Sequence, residues 1–229
     1  MRIKVLATDV DGTITDDKQR LSLKAVEAIR WLESVGIKVV LCSGNTILVL
    51  RALRTYIGCT GPVVGENGAV VDYQGVLVVS GDPRISISAL KKLKEAYGSE
   101  IVESSSNPYR YVDRVIKRTL SAEAIWRVVR DVPNLKFFDS GFAYHFIDSS
   151  VNKGTGVEKA ADILGVDLSE VAAVGDSSND LDMLKVAGYS IALANAPQEL
   201  KAVSDYVTRK PYGEGFCEAI EHLKEIGLV

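Results

Sequence analysis

Asp9 and Asp11, separated by one residue and followed by Gly12 and Thr13, end the apolar run Val5-Leu6-Ala7. Side chains of an extended chain alternate, so both carboxylates project to one side of the run's carboxyl end. Two neighbouring anions repel and call for a cation, and hard carboxylate oxygens suit Mg2+. The same residues also fit a tight turn after an edge strand, a common use of Asp-Gly. Ser43-Gly44-Asn45 follows a second apolar run and opens a helix. That is either a helix N-cap or a hydroxyl and backbone N–H groups able to hold a phosphate oxygen. Lys153 lies in Asn152-Lys153-Gly154-Thr155-Gly156 at a helix start, where the helix dipole disfavours a cation and so hints at a bound anion. The glycines beside it do not match the nucleotide phosphate loop, whose lysine follows the second glycine and precedes Ser or Thr. Residues 175–180, Gly-Asp-Ser-Ser-Asn-Asp, bring Asp176 and Asp180 to another strand end, where a polar turn with Asn179 or Asp180 as cap is the plainer reading. Taken together, four carboxylates, a hydroxyl and a lysine at the ends of three strands and one helix outweigh the separate plain readings.

The elements that must hold these residues alternate. Residues 3–10 read as a strand, 21–35 as an amphipathic helix with Ser22 near its start and Gly36 past its end, and 37–42 as a second buried strand. A helix then runs to about Tyr56, a short strand covers 63–65, and 69–72 with 76–79 form a hairpin. This order predicts a doubly wound α/β domain with a mostly parallel sheet. At Gly81-Asp82-Pro83 the rhythm changes. A helix over 86–97, a strand over 109–118, a helix over 121–132 with Trp126 on its apolar face, and strands over 135–138 and 142–147 suggest a small α+β insert. The expected organisation is therefore a core of residues 1–81 and 151–229 interrupted by an insert of 82–150. The later core elements are a helix over 153–164, a strand over 171–174, a helix after Asn179, a strand over 189–193, a short helix after Pro197, a strand near 206–207 and a helix over 213–226.

The chain has 229 residues, a formal net charge of −3 and three scattered cysteines, Cys42, Cys59 and Cys217, without pairing or metal-ligand spacing. No apolar run approaches the ~20 residues of a membrane span, and the balance of charge gives no general attraction for nucleic acid or anionic lipid. The strand starting at once after Met1 leaves no room for a signal peptide, so the expected location is the cytoplasm; the expected state is a monomer or homodimer.

In this order, Asp9-Val10-Asp11-Gly12-Thr13, Ser43, Lys153 and residues 175–180 resemble the four motifs of haloacid dehalogenase-like phosphatases. The insert resembles the α/β cap of their type IIB branch, which includes Cof-like and sucrose-phosphate phosphatase-like enzymes. Asn67-Gly68-Ala69 and Asn195-Ala196 also resemble features of that branch. Many relatives carry arginine after the Ser-Gly of the second motif; here Asn45 stands there. The resemblance implies a Rossmann-like core and an aspartyl-phosphate intermediate on Asp9, a carboxylate with an ordinary pKa near ~3.9 that needs no activating base. It implies Asp11 as acid and base, and Mg2+ held by Asp9, Asp176, Asp11 through its backbone carbonyl, and Asp180 as ligand or anchor. Ser43, Gly44, Lys153 and Asn179 fall at the phosphate, with Thr13 and Asn179 orienting these groups. The cap would close over the ester, with Tyr109, Arg110, Arg114, Tyr144 and His145 as candidates to read the leaving group. His145 and His222 otherwise read as structural or surface residues. Small members of this organisation that the chain looks most like are archaeal phosphoglycolate phosphatases, so 2-phosphoglycolate is the first-ranked substrate. A sugar phosphate, a phosphomannomutase-like transfer and a non-catalytic sugar-phosphate sensor are the alternatives.

Overall fold

The computed structural model describes residues 2–229. In chain order its elements are β1 (Val5–Asp9), α1 (Leu23–Ser34), β2 (Lys38–Cys42), α2 (Ile47–Ile57), β3 (Val63–Gly65), β4 (Val70–Tyr73) and β5 (Val76–Val79). There follow α3 (Pro83–Tyr97), β6 (Arg114–Lys117), α4 (Ala122–Val129), β7 (Leu135–Asp139) and β8 (Ala143–Asp148). The last are α5 (Lys153–Leu164), β9 (Val171–Gly175), α6 (Leu181–Val186), β10 (Tyr189–Ala192), α7 (Gln198–Ala202), β11 (Tyr206–Val207) and α8 (Tyr212–Glu225).

Eight strands form one sheet in the order β11-β10-β9-β1-β2-β3-β4-β5. The pairs from β11 to β3 are parallel, and β4 runs antiparallel to β3. β1 is buried along its whole length, as an apolar strand covered on both faces must be. Its neighbours are β2, which follows it in the chain, and β9, which comes more than a hundred residues later, so the strand order reverses at β1. Such a reversal leaves a crevice at the carboxyl ends of the strands. Register brings those ends level: Asp9 lies opposite Cys42, Thr8 opposite Val174, and Cys42 opposite Val64. The helices begin where the sequence offers caps. At the start of α1, Ser22 Oγ accepts from Ala25 N at 3.3 Å, and Ala25, Ile29 and Leu32 turn inward at the spacing of one helix face.

The chain divides into two compact units, one formed by Asn152–Val229 with the chain up to Leu77, the other by Val78–Val151. The division falls inside β5, a few residues before the Gly81-Asp82-Pro83 signal, which instead starts α3. There Asp82 caps the helix, accepting from Arg84 N at 2.9 Å, and Pro83 takes the first helical position, so the helix begins three residues ahead of the expected Ser86.

The second unit is a three-stranded antiparallel sheet, β6-β8-β7, with Leu93, Ile116, Ile125 and Phe146 in its core beside α3 and α4. Two expectations need correction here. The strand foreseen over 109–118 is only Arg114–Lys117. Upstream, Pro108 sits in a tight turn, and the Asn107 side chain takes the place of a strand partner, donating to Val115 O at 3.0 Å and accepting from Val115 N at 2.9 Å. Trp126 is not on the buried face of α4, which Ile125 and Val129 occupy; it is 45% exposed and stacks on Phe137 at 6.1 Å. Cys42 and Cys59 are buried, Cys217 is half-buried, and all three are free thiols. Among the described residues no helix is long and apolar enough to cross a membrane.

Candidate active site

Lys153 is the first residue of α5, and its side chain is 1% exposed. Asn152 and Thr155 fix that helix start reciprocally: Asn152 Oδ1 accepts from Thr155 N at 2.9 Å, and Thr155 Oγ1 accepts from Asn152 N at 3.2 Å. The glycines beside the lysine serve close packing, since a Cβ on Gly156 would stand 2.8 Å from Gly68 Cα. Lys153 Nζ donates to Asp9 Oδ1 and to Asp180 Oδ1, each at 2.5 Å. Burial alone would push the ammonium's pKa down; the charges of Asp180 and Asp9 outweigh it and hold the group above its ordinary range. The cation that looked misplaced at a helix start is therefore held by two carboxylates.

Asp9 closes β1 at the bottom of this arrangement. Its Oδ1 is taken by Lys153, while Oδ2 is buried without a hydrogen-bond partner. The ordinary carboxyl expected of Asp9 is not what the fold provides: burial raises it well above the usual range, Lys153 opposes that, and the negative charges of Asp180 and Asp176 add to it. Asp180 is fully buried and engaged through both oxygens: Oδ1 by Lys153, Oδ2 by Asp176 N at 3.0 Å and Ser177 N at 2.9 Å. Asp176 accepts from Thr13 Oγ1 at 2.8 Å and from Asn195 Nδ2 at 2.8 Å. Burial and the Asp180 charge push its carboxyl up to about 6. Gly12 makes this approach possible, because it has φ +90° and a Cβ there would meet Asp176 Oδ2 at 2.3 Å. So the Asp11-Gly12 turn and the chemical reading of that dipeptide are the same feature.

Among the described residues, Asp9, Asp176 and Asp180 each offer an oxygen, and these oxygens lie within 4.8 Å of one another. When all are ionised, three carboxylates against one lysine leave an excess negative charge, which a divalent cation would offset.

Asp11 lies outside that group. Its Oδ2 accepts from Asn45 Nδ2 at 2.8 Å and, more loosely, from Ser43 Oγ at 3.4 Å. Burial raises the Asp11 carboxyl, with Lys153, Ser43 and Asn45 opposing. Ser43 does not cap α2; that position is Thr46, whose side chain makes no capping bond. Ser43 Oγ instead accepts from Asn45 N at 3.0 Å, and Asn67 N donates to Ser43 O at 3.1 Å. Gly44 lies against the Asn67 side chain, and Asn179 Nδ2 donates to Asn67 Oδ1 at 3.1 Å.

Three asparagines thus matter more than the sequence reading allowed. Asn45, noted only as a departure, holds Asp11; Asn195 holds Asp176; Asn67 joins the loops after β2 and β9. A short amide two or three residues past a strand end was the available signal. Of the residues proposed to read a leaving group, Tyr144 is buried, with its hydroxyl on Leu120 O at 2.9 Å, and Tyr109 is exposed. Arg110 and His145 share buried Asp113, and Arg114 donates to backbone oxygens of Arg110 and Asp113. His222 bonds to the Tyr189 hydroxyl at 2.8 Å and stacks on Tyr206.

The chain is similar to known proteins over nearly its whole length. The chain is 38% identical over 218 residues to a protein of Methanothermobacter thermautotrophicus named phosphoglycolate phosphatase, covering 95% of this chain and 97% of that one. A protein of the same name from Archaeoglobus fulgidus is 39% identical over 222 residues, with 96% of each chain covered. A crystal structure from Thermoplasma acidophilum superposes with a TM-score of 0.89 at 30% identity, covering 98% of this chain and 99% of that one. Residues 6–96 and 123–220 match the model of the haloacid dehalogenase-like hydrolases, and the chain belongs to that family.

Proposed function

We propose that this protein is a Mg2+-dependent phosphatase that hydrolyses a small phosphomonoester, 2-phosphoglycolate foremost, by way of a phosphoryl group carried on Asp9. The relatives named phosphoglycolate phosphatase over nearly the whole chain support the substrate. The observation that carries the mechanism is Asp9 itself, a buried carboxylate with one oxygen on Lys153 and the other without a partner, beside two further carboxylates. That orphaned oxygen and the all-oxygen donor set fit Mg2+. Asp9, Asp176 and the Asp11 backbone carbonyl would hold it, with Asp180 anchoring the loop behind. When bound, the ion supplies charge stabilisation to the phosphoryl oxygens.

An Asp9 oxygen attacks phosphorus in line as the bond to the leaving alkoxide breaks. Asp11 gives that alkoxide a proton; its raised carboxyl pKa keeps the acid form accessible nearer neutrality. In the second half Asp11 takes a proton from the water that attacks the aspartyl-phosphate, releasing orthophosphate and restoring Asp9. Ser43, the Gly44 N–H and the Lys153 ammonium neutralise the equatorial oxygens as their charge shifts. Asn45 keeps Asp11 in position. The inserted unit, Val78–Val151, is read as the cap that selects the leaving group.

The test is orthophosphate release from 2-phosphoglycolate and a panel of sugar phosphates, with Mg2+ and with EDTA. Expected is Mg2+-dependent release with the highest kcat/KM on 2-phosphoglycolate. A preference for hexose phosphates would overturn the substrate, and undiminished release in EDTA would overturn the metal.

A further inference from the structure

We infer that Asn67 is a further phosphoryl-binding residue, its side-chain amide donating to an oxygen of the phosphoryl group held at Ser43 and Gly44. The inference rests on the phosphatase reading above. Asn67 is 4% exposed, and its Nδ2 has no hydrogen-bond partner in the chain. A buried amide without an acceptor is rare, because its desolvation goes uncompensated.

The orientation of that amide follows from its neighbours. Ser177 Oγ donates to Asn179 Oδ1 at 2.5 Å, which leaves Asn179 Nδ2 to face Asn67. Asn67 must then present Oδ1 to it, at 3.1 Å, and its NH2 turns away from the β9 loop. The whole amide lies over the Ser43 loop, since a Cβ on Gly44 would stand 3.1 Å from both Asn67 Nδ2 and Asn67 Oδ1; with Oδ1 taken by Asn179, the NH2 is the polar group left to serve that loop. The backbone is shaped for the same purpose. Glu66, Asn67 and Gly68 are all left-handed, with φ of 50°, 54° and 106°, although two of them carry side chains. Non-glycine residues persist in that region only where the surroundings enforce it, most often at functional sites. Here Glu66 N bonds to Asn45 O at 2.9 Å and Asn67 N to Ser43 O at 3.1 Å, so the strained turn is tied to the serine loop by two bonds. The donor therefore sits, unpaired, beside the hydroxyl and N–H groups assigned to the phosphate. The class of ligand that completes it is a tetrahedral oxyanion.

The experiment uses the full chain with Mg2+ and inorganic phosphate as the probe, measured both by calorimetry and as a competitive inhibitor of phosphoester turnover. Asn67→Gly removes the amide and tolerates positive φ. Asn67→Asp keeps the shape and the acceptor for Asn179 but replaces the donor by a carboxylate oxygen. Expected is phosphate affinity about 10-fold lower in Asn67→Gly and at least about 100-fold lower in Asn67→Asp. KM should rise in step, with the Mg2+ affinity of Asn67→Gly unchanged. An asparagine that only holds the turn would leave phosphate affinity in Asn67→Gly within twofold of the parent, and that result overturns the inference while the phosphatase reading stands. A parent protein that neither binds phosphate nor releases it takes both down.

Discussion

Each unit of the molecule buries a charged cluster, and the two are built differently. In the second unit Asp113 Oδ2 accepts from Arg110 Nη1 at 2.7 Å and pairs with His145 Nδ1 at 2.8 Å, while Phe138 stacks flat on the imidazole. There a carboxylate is met by a guanidinium and a ring nitrogen, and the charges come close to balance. In the first unit Lys153 meets Asp9 and Asp180 with Asp176 nearby, so negative charge is in excess. A balanced buried cluster suits a structural role, whereas an excess of buried charge of one sign is the mark of a binding or catalytic site. Burial by itself does not distinguish the two, since Asp9 and Asp113 are both inaccessible.

The comparison breaks most visibly through Asp9→Asn. Turnover should fall by on the order of 10⁴-fold or more, because an amide cannot serve as the nucleophile. The melting temperature of the metal-free protein should stay level or rise, because one of three crowded carboxylates is neutralised while an acceptor remains for Lys153. Appreciable turnover would remove the nucleophile assignment, and a steep loss of thermal stability would show that the cluster is structural after all.

Asp113→Ala should do the reverse. It takes from buried Arg110 and His145 the carboxylate they share, and breaking such a pair costs about 3–5 kcal/mol. Denaturant unfolding should report that loss in the second unit, while Mg2+ affinity at the first stays as in the parent. Near-parental unfolding would mean that this network carries no stability, and a lost Mg2+ site would mean that the two clusters are not independent.

How much of this was readable in the sequence depended on how local the cause was. The strand, helix and glycine punctuation around β1, β2, α5 and β9 is carried by adjacent residues, so the alternating core and the positions of Asp9, Ser43, Lys153 and Asp176 were legible. The partners were not, because they are chosen by tertiary approach. Nothing near Lys153 in the chain says that it meets Asp9, and nothing near Asn195 says that it meets Asp176, a contact that forms only once β9 and β10 pair. Likewise the alternation of 109–118 suggested a longer strand, since a propensity pattern cannot register that the Asn107 side chain substitutes for the ladder. Trp126 was assigned inward on hydrophobicity alone, although α4 is short and Ile125 and Val129 already fill its buried face.

Asp148 offers the finest test, because it is a buried carboxylate satisfied by donors that do not titrate. It joins the two ends of the second unit: Oδ2 accepts from Asp82 N at 2.8 Å, and Oδ1 from Ser150 N and Ser150 Oγ, each at 2.9 Å. Burial would raise its pKa, but the bonds from Ser150 and Asp82 outweigh that and leave the carboxyl below its ordinary value. Folding therefore favours the ionised form. The stabilisation is fully present above the unfolded value near ~3.9 and is lost as pH falls through the lower folded value. Asp148→Asn should accordingly cost about 1–2 kcal/mol at pH 7, one charged acceptor being replaced by an amide that can serve only one of the two sets of donors. Below about pH 4 the gap between variant and parent should close, since the parent's carboxyl is itself becoming neutral. A gap unchanged from pH 7 down to pH 3 would show that shape, and not charge, secures this junction; a gap that widens in acid would reverse the sign assigned to the group.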